Sequence, residues 1–335
     1  MMKQSLAALA EGKDLGRDLM VAVMNGIMEG EATPAQIGAF LMGLRVKGET
    51  VEEITGAAQV MREKAKRITA PGPCIDTCGT GGDNSLTFNI STTAAFVVAG
   101  AGLIVAKHGN RAASSACGSA DVLAALGVNI EADVPLVEHC LREAGIGFLF
   151  APLLHGAMRF AIGPRREMGT RTIFNVLGPL TNPAGAKRQL LGVFSGRLTE
   201  PLARVLGNLG SEAALVVHGE DGLDEITLTA ETRVSELKDG QVKTYSIKPE
   251  DFGFKRCHKD DLLGGAPEDN ARIARQVLDN APGPRRDVIA LNAGAAIYAA
   301  GKADTIALGV KIALAAIASG AAAKKLELLV QASRP

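Results

Sequence analysis

The rhythm of apolar and polar positions changes near residue 70, and the change divides the chain. Before it, apolar residues recur at the three-to-four-residue interval of one helix face, most clearly from Leu15 to Ile27. Thr33-Pro34-Ala35-Gln36 and Thr50-Val51-Glu52-Glu53 then open two further segments. Each sets a hydroxyl three residues ahead of Gln or Glu, so cap and first turn satisfy one another's amides, and Pro34 stands where no amide proton is needed. Residues 1–70 are therefore expected to form a small all-helical unit. Thr69-Ala70-Pro71-Gly72-Pro73 interrupts helix and strand alike and marks its boundary.

Beyond that point short β-rich runs at 74–78, 103–107, 148–150, 190–194 and 213–218 alternate with Ala-rich segments of helix length. Such alternation predicts parallel strands covered by helices on both faces. Residues 226–247 instead alternate polar and apolar around Lys238-Asp239-Gly240-Gln241, a hairpin signal that adds an antiparallel part. The last ninety residues return to helix. The expected fold class is α/β: a small helical domain plus a large domain with a central, mostly parallel sheet flanked by helices.

Composition removes several functions. The 36 basic and 36 acidic residues balance, so no global field marks a nucleic-acid or membrane binder. With no Trp and 4% aromatics, stacking platforms for bases are scarce. The stretch 305–323 is the most membrane-like, but Lys311 interrupts it and it reads as a buried helix. The N-terminus reaches charged residues before any apolar run and lacks a secretory h-region, which points to the cytoplasm. Five cysteines without a CxxC pair fit reduced thiols, and Cys257-His258 is too isolated for a zinc site.

The chemistry gathers where strands end. The run 74–78 breaks into Gly79-Thr80-Gly81-Gly82-Asp83, with a helix opening near Asn89-Ile90-Ser91-Thr92. Glycines let backbone N–H groups approach anionic oxygens, and the helix start adds a positive dipole end. The spacing fits neither GxGxxG nor GxxxxGK[ST], so another phosphate ligand is implied. Lys107-His108-Gly109-Asn110-Arg111 through Ser114, Ser115 and Ser119 reads as a second phosphate loop. Asp224-Glu225, an acidic pair after the run 213–218, suggests Mg²⁺ shared with phosphate oxygens. Arg165, in Gly163-Pro164-Arg165-Arg166, suits a carboxylate, the plainer alternative being a surface arginine beside a helix.

Taken together, GTGGD at 79–83, NIST at 89–92, KHGN at 107–110, Asp224-Glu225 and PRR at 164–166 resemble the anthranilate phosphoribosyltransferases in order and spacing along nearly the whole chain. The resemblance implies a helical domain of residues 1–70 joined by a returning segment at about 163–185. A large domain of residues 71–162 and 186–335 would bind phosphoribosyl pyrophosphate, and family members are homodimers paired through the helical domain. Carried over by position, Gly79, Gly82, Asp83, Thr87, Asn89, Ile90, Ser91, Thr92, Lys107, Asn110, Ser115 and Ser119 would hold that donor. Ser91, Asp224 and Glu225 would serve its Mg²⁺, two ions being expected. Gly79, Asn110, Pro152, His155, Met158 and Arg165 would contact anthranilate, with His108 and Asn110 positioning rather than acting as acid or base. Met158 stands where some relatives carry tyrosine. A pyrimidine nucleoside phosphorylase would share the architecture, but one inorganic phosphate needs neither the acidic pair nor so long a polar loop. A non-catalytic nucleic-acid-binding relative would show weakened phosphate motifs, and here they are intact.

Overall fold

The computed structural model describes residues 1–83, 85–112 and 116–334. Seven strands form one sheet: β1 Cys74–Gly79, β2 Ile104–Gly109, β3 Ile146–Phe150, β4 Arg188–Gly192, β5 Ala213–Gly219, β6 Thr232–Lys238 and β7 Gln241–Ile247. Their spatial order is β3-β2-β1-β4-β5-β6-β7. The first five run parallel, and β6 and β7 join β5 as an antiparallel hairpin. Its tight turn uses left-handed backbone at Asp239 and Gly240 (φ +51° and +74°), the geometry that matches strand twist. The α/β class expected from the alternating pattern is the one observed.

Two details differ. Residues 226–231 do not extend the hairpin; they stay in the β5–β6 loop, where Thr227 Oγ1 donates to Asp221 Oδ2 at 2.8 Å and Ile226 and Leu228 are buried. The apolar stretch 305–323 is not one helix. It breaks after Ile306–Ala318, and the next helix, Ala321–Ala332, leaves at 66°. Among the described residues no single helix is long and apolar enough to cross a membrane.

The N-terminal helices Met2–Ala10, Gly16–Met28, Pro34–Lys47 and Val51–Lys64 enclose a core of Met20, Met24, Ile27, Phe40, Leu41 and Leu44, all fully buried. Thr33 with Gln36 and Thr50 with Glu53 form both reciprocal caps. The helix Arg159–Met168 packs on this bundle, and Ile173, Phe174, Leu177 and Leu180 continue its core. Under the sheet, Ile90–Gly100 is buried throughout residues 90–99 except at Ser91, and it packs on Pro284–Ala299. That exception places one hydroxyl at the start of an otherwise inaccessible helix, below the carboxyl ends of β1 and β2.

Candidate functional site

The carboxyl ends of β1, β2 and β4 open into a crevice, the place where α/β sheets bind ligands. After β1 the backbone turns left-handed at Gly81 and Gly82 (φ +65° and +75°). The β5–β6 loop comes to meet it: Asp224 Oδ2 accepts from the Gly81 amide at 2.7 Å, and the Asp224 amide donates to Asp83 Oδ2 at 3.3 Å. Glu225 Oε1 accepts from the Ser91 amide at 3.0 Å, in the first turn of Ile90–Gly100. Asn292, fully buried, fixes the next residue on both sides, accepting from the Ile226 amide at 3.0 Å and donating to its carbonyl at 2.8 Å.

This crossing dictates the residue types beneath it. A Cβ at Gly79 would stand 2.5 Å from Asp224 Oδ2, and one at Gly192, its register partner on β4, would overlap the Asp224 carbonyl. Only glycine at both strand ends lets the acidic loop lie so close.

Burial pushes the Glu225 carboxyl up to about 7, an effect partly offset by the Lys107 ammonium. Asp224 is raised well above the carboxylate range by burial and by the charges of Asp83 and Glu225. Lys107 is buried, its Nζ donating to the Thr77 carbonyl at 2.5 Å and lying 3.5 Å from Ser91 Oγ. The two crowded carboxylates present hard oxygens whose charge the Lys107 ammonium offsets only in part, a setting that favours a divalent cation. Among the described residues no three His, Cys, Asp or Glu side chains could share one ion. Mg²⁺ ordinarily completes its shell with waters and ligand phosphates.

The remaining donor candidates lie along the same rim. Asn89 joins the two loops, its Nδ2 donating to the Cys117 carbonyl at 3.1 Å and its Oδ1 accepting from Asn270 at 3.0 Å. Thr87 pairs with Leu263, and its hydroxyl lies 3.2 Å from that of Ser85. Ile90 and Thr92 bury their side chains, leaving the helix-start backbone as what they offer. Ser119 Oγ donates to the Asn110 carbonyl at 3.2 Å. Arg111, in the sequence a second cation of this loop, is instead engaged by Asp121 at 3.1 Å. Ser114 and Ser115 lie outside the described residues.

A second group joins the end of β2 to the segment leaving β3. His108 Nδ1 lies 3.1 Å from the Gly178 carbonyl, and its Nε2 is 3.2 Å from His155 Nε2. Burial lowers the two imidazoles to about 3 and about 4, so both are neutral at pH 7. Pro152 lies in the short helix Ala151–Leu154, and half-buried Met158 caps Arg159–Met168. Arg165 is half-buried over the Phe174 ring at 5.1 Å, its pKa lowered by burial, and it has no ion pair among the described residues. An arginine partly withdrawn from water without an acid is ready for an external carboxylate.

Some residues were not legible as part of this site. Arg171 donates through Nη2 to the Gly82 carbonyl and stacks over Phe194 at 4.2 Å, tying the 163–185 segment to the glycine turn. Buried Asp76 accepts from the His108 amide at 3.1 Å and from Asn182 Nδ2 at 2.8 Å. Asn270 and Asn292 reach in from the C-terminal helices. None carries a motif, and their partners lie far away in sequence.

Residues 71–323 match the model of the glycosyl transferase family a/b domain, and residues 3–65 match that of the family's helical bundle domain. An anthranilate phosphoribosyltransferase of Symbiobacterium thermophilum is 59% identical over 327 residues, covering 97% of this chain and 96% of that protein. The crystal structure of the Thermus thermophilus enzyme of the same name superposes with a TM-score of 0.94 at 45% identity, covering 99% of both chains. The Saccharomyces cerevisiae enzyme has been solved with PRPP and Mg and, separately, with 4-fluoroanthranilate. These two structures give TM-scores of 0.87 and 0.89 at 27% and 26% identity, each covering 99% of this chain and 97% of that chain.

Proposed function

This chain belongs to the anthranilate phosphoribosyltransferase family, and from that premise we propose how its residues divide the reaction. The enzyme transfers the 5-phosphoribosyl group of phosphoribosyl pyrophosphate to the amine of anthranilate. The products are N-(5-phosphoribosyl)anthranilate and pyrophosphate, in tryptophan biosynthesis. One observation carries the assignment of roles: the glycine turn, the start of Ile90–Gly100, Lys107 and the Asp224-Glu225 loop meet in one crevice.

In this reading the donor's diphosphate lies against the 79–83 turn and the 107–119 loop, held by Gly79, Gly82, Asp83, Thr87, Asn89, Ser91, Lys107, Asn110, Ser115 and Ser119, with Ile90 and Thr92 contributing backbone. Ser91, Asp224 and Glu225 serve two Mg²⁺ ions, which when bound neutralise charge on the departing diphosphate. Lys107 is already held by the Thr77 carbonyl beside Ser91, so it stabilises that charge without reorganising. Departure leaves oxocarbenium character at the ribose, and the amine attacks C1 with inversion. An aromatic amine is neutral at pH 7, so no residue is assigned as an obligatory base, and two neutral imidazoles at His108 and His155 suit a positioning role. Arg165 takes the carboxylate and Asn110 aims the amine, with Pro152, His155 and Met158 lining the approach; holding both reactants in register supplies much of the acceleration.

We further assign residues 1–70 with 163–185 to a unit that closes on residues 71–162 and 186–335 and so excludes water from the cation. Homodimerisation through the helical unit is supported by Met42 and Val46, 41% and 80% exposed on Pro34–Lys47. A cytoplasmic setting accords with five free thiols.

The test replaces both acids. Asp224→Ala/Glu225→Ala is expected to nearly abolish turnover and to remove Mg²⁺-dependent donor binding in calorimetry. Wild-type rates at saturating Mg²⁺ would sink the assignment.

A further inference from the structure

At the opposite, amino-terminal end of the sheet lies a second cavity of about 720 Å³, walled by the beginnings of β1 and β4 and by the chain on either side of them. Strands of five or six residues place it roughly 15–20 Å from the crevice. Four of its lining residues are cations, Arg62, Arg67, Lys187 and Arg188, and one is an acid, Glu212. Glu212 is shared, 3.6 Å from Lys187 and 3.4 Å from Arg188. Arg62 is half-buried and engages only carbonyls, those of Leu180 at 2.6 Å and Leu209 at 3.0 Å. Arg67 has neither ion pair nor side-chain hydrogen bond among the described residues. Scattered surface cations need no explanation, but cations gathered in a concavity with low-dielectric walls focus their field on whatever enters. The room equals that of a small-molecule site.

We propose that this cavity binds a small phosphate-bearing anion. Guanidinium forks and an ammonium together match a phosphoryl group's several oxygens. The position gives such binding a consequence. The cavity is built from the two stretches that join the helical unit to the sheet, linked directly by the Ile68 amide donating to the Pro183 carbonyl at 3.1 Å. From its wall, Asn182 donates to Asp76 at 2.8 Å, and Asp76 accepts from the His108 amide at 3.1 Å. An occupant bridging the two stretches holds them in one arrangement and biases how the helical unit approaches the crevice. The effect on the acceptor rests on the function proposed above; the binding itself does not.

The test titrates the whole chain with inorganic phosphate by calorimetry at low ionic strength without divalent metal, and locates the ion in soaked crystals. The expected result is phosphate between Arg67 and Lys187, with affinity reduced about tenfold or more in Arg67→Glu/Lys187→Glu. Both side chains are exposed, so unchanged thermal unfolding will show the variant intact. Binding undiminished in that variant, phosphate found only in the glycine-turn crevice, or no phosphate at all overturns the proposal. In steady-state assays phosphate should shift the anthranilate KM of the wild type and not of the variant. An equal shift in both would overturn the coupling while leaving the binding result to stand or fall alone.

Discussion

Gly79→Ala isolates the contact on which the acidic loop depends. Gly79 ends β1 without a positive φ, so alanine is allowed by the backbone and the perturbation is purely steric. The new methyl would stand 2.5 Å from Asp224 Oδ2, 3.2 Å from its Cγ and 3.4 Å from its carbonyl oxygen. Ordinary contact needs about 3.5 Å, so the carboxylate must retreat by roughly 1 Å. Its bond from the Gly81 amide, now 2.7 Å, would then exceed hydrogen-bonding distance. In the Mg²⁺ complex, where Asp224 is ionised, losing a hydrogen bond to a charged group costs about 1.5–3 kcal/mol, and residual crowding adds about 1 kcal/mol. If that cost falls on the donor complex, kcat/KM for phosphoribosyl pyrophosphate drops by roughly 50- to 1000-fold. Initial rates across donor and Mg²⁺ concentrations measure it, with a raised Mg²⁺ requirement as the signature of a displaced acid. Gly26→Ala, in Gly16–Met28 with only Glu31 Oε2, at 3.5 Å, near the new methyl, is the control and should be neutral or slightly stabilising. Activity within threefold of wild type, with an unchanged Mg²⁺ profile, would refute the reasoning.

Arg165→Ala should raise the KM for anthranilate at least tenfold while changing the donor KM little, read from steady-state rates; the reverse split would place Arg165 at the other substrate. Asn292→Ala leaves the Ile226 amide and carbonyl unpaired in the interior, so unfolding stability should fall by about 2–3 kcal/mol and Mg²⁺ affinity should weaken in calorimetry. A variant destabilised to that extent but with wild-type Mg²⁺ affinity would show that Asn292 serves the fold alone. His108 and His155, ordinarily near 6.5 and lowered to about 3 and about 4, stay neutral in the native chain while the unfolded chain takes up protons. Stability should therefore decline as pH falls from about 6.5 toward 4, by about 1.6 kcal/mol per imidazole between pH 6.5 and 5. Chemical denaturation across that range checks it, and His155→Asn should flatten the slope.

What the sequence made legible was local. Caps at Thr33 and Thr50, strand runs bounded by glycine and proline, and the turn at Asp239-Gly240 are each decided within a few residues, and all are present. The run 226–247 misled because alternation also arises in a loop whose inward residues, Ile226 and Leu228, are buried while Thr227 and Thr229 bind Asp221. The break in 305–323 lay at Ser319-Gly320, where Gly320 takes left-handed backbone (φ +75°) just past the helix end. The return of Phe174–Pro183 to the bundle came only through the resemblance, because packing on helices more than a hundred residues earlier has no local signature. The buried amides escaped for the same reason: Asn292 meets Ile226 66 residues away and Asn182 meets Asp76 106 residues away. Glycine turns and adjacent acids announce themselves by type, whereas an asparagine that braces them resembles any other.

The reversal of strand direction at β5 has an architectural outcome. Because β6 runs back beside β5, with Gly219 facing Thr232, the twelve-residue span carrying Asp224 and Glu225 has both feet planted on one rim. A helical crossover to another parallel strand would have carried the chain to the far side and left one foot there. An arch so short-based holds its shape without cargo, so metal and donor should find their seat already made and raise the melting temperature only by mass action.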